Sequence, residues 1–130
     1  MAATNQRILL IDDDVEIQDF ITTFLGIEGY QVLLAANGAT GLTAARRERP
    51  DLILLDISMP DISGVEVCQR LRAGAETAAT PIFILSARTD DRERERAAEA
   101  GASRFVDKPF QNDALLRWIS EALQAAGSNE

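Results

Sequence analysis

The chain has 130 residues, 46% of them hydrophobic and 26% charged, a balance that suits one globular domain and excludes a disordered chain. There are 21 acidic and 13 basic side chains, and the resulting net charge of −8 opposes direct nucleic-acid binding and favours a cationic ligand or a partner with a basic surface. Cys68 is the only cysteine, histidine is absent and no apolar run approaches the roughly 18 residues of a membrane span. An internal disulfide, the common zinc sites and a membrane span are thereby excluded, residues 1–7 lead directly into a strand with no signal peptide expected, and a reducing, cytoplasmic setting is expected.

Ile8-Leu9-Leu10-Ile11 is a short apolar run that stops at Asp12-Asp13-Asp14, which predicts a first strand with acids at its carboxyl end. Ile17, Phe20, Ile21, Phe24 and Leu25 then recur at intervals of three and four. They predict a helix capped by Asp14, with Gly26 and Gly29 near its end. Residues 31–35 read as a second strand and residues 39–47 as an alanine-rich second helix closed by Pro50. Leu52-Ile53-Leu54-Leu55 is too short for a buried helix and is followed at once by the loop residues Ser58, Pro60, Asp61, Ser63 and Gly64. It predicts a central strand buried on both faces, ended by Asp56.

Val65, Val67, Cys68 and Leu71 mark a third helix, which the turn-rich residues 74–80 end. Residues 81–85 are a fourth strand finishing at Ser86. Residues 90–100 carry the charges of a helix but only alanines for an apolar face, so this fourth helix should be thinly packed and mobile, with the alternating charges of residues 91–96 on a solvated face. Residues 104–107 form a short fifth strand, ended by Lys108-Pro109, and Leu115, Leu116, Ile119 and Leu123 give the buried stripe of a fifth helix. Trp118 borders that stripe, open to core packing or to a partner. Residues 1–130 read as one domain with a core over about 6–125 and a short tail, 126–130.

Strands alternating with helices imply an α/β fold, a doubly wound parallel sheet with right-handed crossovers on both faces. Ligands of such sheets bind outside the carboxyl ends of the strands, where Asp12, Asp13, Asp56, Ser86 and Lys108 all fall. Two carboxylates about 4 Å apart repel by roughly 4 kcal/mol at an effective dielectric of 20, and a hard divalent cation relieves this. One or two carboxylates, water and a phosphoryl oxygen is the usual environment of Mg²⁺. Lys108 adds a mobile positive charge and Ser86 a hydroxyl donor, which together equip the cluster for phosphoryl transfer to an aspartate.

Residues 8–14, 51–60, 81–88 and 101–110, in this order and spacing, resemble the receiver domain of two-component response regulators. The resemblance implies a flavodoxin-like fold with five parallel strands in the order 2-1-3-4-5 and five helices. It implies that Asp56 is the phosphoacceptor, charged by a sensor histidine kinase or histidine phosphotransferase that must act in trans, since this chain has no histidine. It further implies that Asp13 binds Mg²⁺ directly, that Asp12 acts largely through water and that the Ser58 backbone carbonyl completes the protein's share of the metal shell. Lys108 would pair with Asp56 and then with the phosphoryl group, Ser86 would shift inward to bond that group, and Phe105 would turn inward behind it. The signalling surface would be the fourth helix, fifth strand and fifth helix, with Ser58 and Arg88 tuning loss of the phosphoryl group.

Three other readings compete. An aspartyl-phosphate-type phosphatase needs a second carboxylate two residues past the nucleophile, where this chain has Ser58. A flavin-binding module needs a Ser/Thr/Gly-rich phosphate cradle where Asp12-Asp13-Asp14 stand. A non-phosphorylated pseudo-receiver, acting only as a binding module, is opposed by the complete set of chemical residues. Met1 and the short tail favour a stand-alone regulator whose output lies in another protein.

Overall fold

The computed structural model describes residues 6–87 and 91–127. In chain order the elements are β1 (Arg7–Ile11), α1 (Val15–Ile27), β2 (Gln31–Ala35), α2 (Gly38–Glu48), β3 (Leu52–Asp56), α3 (Gly64–Ala73), β4 (Ile82–Ser86), α4 (Asp91–Glu99), β5 (Arg104–Asp107) and α5 (Asn112–Gly127). All strand pairs are parallel, in the order β2-β1-β3-β4-β5, with Leu9 beside Ile53 and Leu55 beside Ile84. The expected flavodoxin-like topology is therefore the one the chain adopts.

The two-residue period of a strand sorts the apolar side chains onto the two faces of the sheet. Leu9, Ile11, Ile53, Leu55, Ile82 and Ile84 meet Leu42 and Ala45 of α2, Val67, Cys68 and Leu71 of α3 and Ala97 of α4. Ile8, Leu10, Leu52, Leu54, Phe83 and Leu85 meet Ile21 and Leu25 of α1 and Leu115, Ile119 and Leu123 of α5. β3 and β4 are buried along their whole length because helices cover both faces, which is why their sequences are continuous apolar runs. The α4 helix contributes only Ala97 to the core, in keeping with the thin packing expected of it.

Helix ends follow local chemistry, with two departures from expectation. Asp14 caps α1 as predicted, accepting from the N–H groups of Glu16 and Ile17. The α2 helix begins at Gly38, under an Asn37 cap that accepts from the Thr40 N–H. It runs to Glu48 and is closed by Arg49 in the left-handed conformation, φ 49°, rather than by Pro50; the Arg49 N–H then reaches the Ala45 carbonyl. Asp90, assigned to the fourth helix, as well as Arg88 and residues 128–130 of the tail, lie outside the described residues. The 74–80 turn is held by Arg72, whose guanidinium donates to the carbonyls of Thr77, Ala78, Thr80 and Gly101.

The crossover from β1 to β2 carries α1 on one face, and the crossover from β2 to β3 carries α2 on the other. The chain therefore reverses between β1 and β3, and their carboxyl ends border an open crevice. The ladder continues just past both ends: the Asp12 N–H donates to Ala35 and the Ile57 N–H to Leu85, each at 3.0 Å. Those bonds fix the backbone on which Asp12 and Asp56 stand.

Candidate functional site

Three successive aspartates after β1 serve three purposes. Asp14 caps α1. Asp12 is fully buried, its Oδ1 accepting from the Asp14 N–H at 2.9 Å, while its own carbonyl accepts from the Gln18 side-chain amide at 2.7 Å. Asp13 is exposed at the mouth of the crevice. Carboxylate oxygens of Asp12, Asp13 and Asp56 all lie within 4.8 Å of one another. Such a spacing lets a single small, hard cation touch all three, and an all-oxygen donor set is what Mg²⁺ prefers.

Lys108 enters the same cluster from the loop after β5. Its Nζ donates to Asp56 Oδ1 at 3.2 Å and to Asp12 Oδ2 at 3.3 Å. Its backbone N–H donates to the Ser86 carbonyl at 2.7 Å, which ties the lysine to the end of β4. Burial, and then the neighbouring Asp12 charge, push the Asp56 carboxyl above its ordinary range, while Lys108 and the Ser58 N–H pull the other way. Burial works to lower the Lys108 ammonium, but Asp56 and Asp12 overcome it and hold its pKa above the ordinary lysine value. Among the described residues three carboxylates thus face one lysine, which is the electrostatic condition for taking up a cation.

The sequence-predicted residues are distributed as follows. Asp12, Asp13, Asp56 and Lys108 converge. Ser86 is fully buried at the end of β4, beside Asp107 in the β4–β5 register. Ser58 is exposed in the loop after β3, its N–H bonded to Asp56. Phe105 is half-buried against the α2–α3–α4 side of the core, its ring centroid 4.8 Å from the Arg94 guanidinium carbon. Trp118 is half-buried against the α1–α5 core, with the Arg104 guanidinium carbon 4.5 Å from its ring centroid. The Cys68 thiol is buried, donates to the Ala100 carbonyl and has its pKa raised by burial, all marks of a structural cysteine.

Several participants were not foreseen. Asp61, in the loop after β3, accepts from the Gly38 and Ala39 N–H groups at 3.0 Å each and so ties that loop to the start of α2. These bonds hold its carboxyl below the usual range. Arg94, assigned to a solvated face, donates to both carboxylate oxygens of Asp107 at 2.7 Å. Phe20, assigned to the apolar stripe of the first helix, is 41% exposed and packs beside Phe24 and Phe110. With Ile17, Ala87, Lys108, Pro109 and Phe110 it lines a cavity of about 410 Å³ that adjoins the acid cluster through Lys108. Among the described residues no helix is long and apolar enough to cross a membrane.

The metal reading makes a direct thermal prediction. Mg²⁺ should raise the melting temperature, since a ligand held only by the folded state stabilises it by mass action. Asp13→Ala should remove that increment, and survival of the full increment in a Mg²⁺ titration of this variant places the cation elsewhere.

Comparison with known proteins agrees with this geometry. Residues 8–120 match the model of the response regulator receiver domain family. The chain is 37% identical over 124 residues to the DNA-binding response regulator MtrA of Mycolicibacterium smegmatis, covering 95% of this chain and 53% of MtrA. It is 41% identical over 117 residues to the transcriptional regulatory protein KdpE of Mycobacterium tuberculosis, covering 90% and 50%. The chain thus spans about half the length of the curated relatives it matches. Among solved structures, a CheY-like receiver domain protein from Methanospirillum hungatei superposes with a TM-score of 0.91 at 28% identity, over 98% of this chain and all of that one. The receiver domain of the sensor histidine kinase PA1611 from Pseudomonas aeruginosa superposes with a TM-score of 0.87 at 31% identity, over 93% and 99%; that structure has a magnesium ion coordinated in its active-site cleft. With strand order, acid cluster and family match in agreement over nearly the whole of its length, the chain belongs to the response regulator receiver domain family.

Proposed function

We propose that Asp56 is the phosphoacceptor of a two-component phosphorelay. The observation that carries this reading is the convergence on Asp56 of Lys108, at 3.2 Å, and of the Asp12 and Asp13 carboxylates. An Asp56 oxygen attacks the phosphorus of a donor phosphohistidine; a P–O bond forms, the P–N bond breaks, and its electron pair leaves on the imidazole, which then takes up a proton. Asp12, Asp13, Asp56 and the Ser58 carbonyl would hold Mg²⁺, which when bound neutralises charge on the transferring group. Lys108 then follows the phosphoryl group away from Asp56, and the Ser86 hydroxyl donates to one of its oxygens. Phe105 turns inward, altering the surface of α4, β5 and α5. The chain catalyses only its own phosphorylation and dephosphorylation.

The donor phosphohistidine lies outside these 130 residues, which contain no histidine. The apolar cavity around Phe20 and Phe110 is the surface on which the histidine-bearing partner sits, since it borders Lys108 and leaves the acid cluster open beside it. Phe20→Glu should slow transfer from a histidine donor at least tenfold and leave the reaction with acetyl phosphate unaltered; equal rates with both donors in variant and wild type would remove the partner from this face. We place the 130 residues together as one cytoplasmic receiver module. The net charge of −8 opposes direct contact of these 130 residues with nucleic acid.

Intact mass after incubation with acetyl phosphate and Mg²⁺, beside Asp56→Asn, tests the reading. One phosphoryl adduct on the wild type, labile to hydroxylamine and absent from the variant, is expected. No adduct on a protein that binds Mg²⁺ makes the chain a binding-only pseudo-receiver.

A further inference from the structure

Only Ala97 of α4 is buried, so apolar packing positions this helix weakly. Its first half is tied to the sheet through Arg94. The guanidinium donates to both carboxylate oxygens of Asp107 and covers the Phe105 ring. Asp107 is the last residue of β5, in register with Ser86. Lys108 follows it directly, with its Nζ on Asp12 and Asp56. Two adjacent residues joined by one planar peptide therefore hold three ion pairs, one on α4 and two in the acid pocket.

We propose that the Arg94–Asp107 pair is an ionic clamp that couples the acid pocket to α4; this rests on the phosphoacceptor reading. A tetrahedral anion on Asp56 draws Lys108 off the two carboxylates. The rigid peptide passes that displacement to Asp107, whose two carboxylate oxygens share a single Arg94 nitrogen and so depend on its position between them. The clamp opens, the cover over Phe105 lifts, and α4 loses its tie to β5. An exposed ion pair is weak enough to yield to so small a movement, while the ring beneath the guanidinium keeps it ordered at rest. Coupling of this kind is reciprocal, so a protein whose clamp has been cut accepts the anion more readily.

The test is the affinity for beryllofluoride in the presence of Mg²⁺, measured by calorimetry on the wild type, Arg94→Ala, Asp107→Ala and the double variant, with hydrogen exchange of α4 followed in parallel. Each single variant should bind roughly two- to tenfold more tightly, as expected for loss of one exposed ion pair and one cation–π contact. The double variant should bind no more tightly than Arg94→Ala, which separates the clamp from any direct effect of the Asp107 charge on Lys108. Amides of α4 should exchange faster in the unliganded Arg94→Ala protein and in the wild-type complex than in the unliganded wild type. Unchanged affinity in Arg94→Ala, or single effects that add in the double variant, overturns the clamp alone. A wild type that takes up no beryllofluoride overturns the phosphoacceptor reading and the clamp with it.

Discussion

Gly64→Ala is expected to lower stability by about 3 kcal/mol, at the upper end of what overpacking of a well-ordered interior costs, and to remove the thermal increment given by Mg²⁺. A Cβ at this position would stand 2.4 Å from the Asp56 carbonyl oxygen and 2.7 Å from the Ile57 Cα. Both are backbone atoms, so no rotamer change makes room. The Gly64 N–H also donates to the Ile57 carbonyl at 2.9 Å, which pins the first turn of α3 against the end of β3. Relief requires α3 to back away from the strand that carries Asp56, and the loop containing Ser58 and Asp61 moves with it. Gly26→Ala is the control: it lies within α1 with nothing within 4 Å of an added Cβ, and should stabilise by up to about 1 kcal/mol through helix propensity. Urea midpoints for the two variants decide the matter; a Gly64→Ala protein no less stable than the wild type would mean that α3 does not bear on Asp56.

Much of this arrangement was legible in the residues, and the illegible part has a common cause. Apolar runs such as residues 52–55 and 82–85 announce buried parallel strands because a doubly covered strand has no polar face. Acids at the ends of such runs are conspicuous for the same reason, and strand order alone then brings Asp12 and Asp56 together. Asp14 was readable as a cap because its partners lie two and three residues away. Asp61 was not, because the N–H groups it caps are 23 and 22 residues upstream and no local pattern joins them. Arg94 and Asp107 are 13 residues apart on different elements, and their pairing depends on how α4 lies across β5. Phe20 satisfies the helical stripe as well as Ile21 does; only the path of the loop after β5 decides that one is half in solvent and the other in the core. Periodicity therefore reports burial by an element's own neighbours, and long-range ion pairs and caps escape it.

Lys108→Ala, in the absence of divalent cations, is expected to lose about 2 kcal/mol at pH 7; removing one partner of a fully buried pair costs more, and the opening at Asp13 moderates it here. The Asp12 side chain is fully buried and that of Asp56 is 10% exposed, and among the described residues Lys108 is the cation in contact with both. Without it two close carboxylates remain in a site largely closed to water, and the Asp56 carboxyl, already raised by burial and by Asp12, rises further. A carboxyl whose pKa is higher in the folded than in the unfolded chain binds its proton more tightly when folded. Its stabilising effect is present below the unfolded value and is lost as pH rises through the folded one. Acidification from pH 7 should therefore restore stability to Lys108→Ala, over a wider range than in the wild type. Asp56→Asn, which removes one of the repelling charges, should raise stability at pH 7 by about 1 kcal/mol and flatten this acid-side slope. Lys108 acts at the other extreme: its pKa lies above the ordinary 10.5, so its contribution is complete below that value and is lost as pH climbs through the raised one. The wild type should lose stability in that alkaline range, and Lys108→Ala should show no such loss. Urea midpoints at pH 5, 7 and 10.5 and above give all three slopes. A Lys108→Ala protein that matches the wild type at pH 7 and shares its acid slope would show that the carboxylates are neutralised by something other than the lysine, and the electrostatic account of the pocket would have to be abandoned.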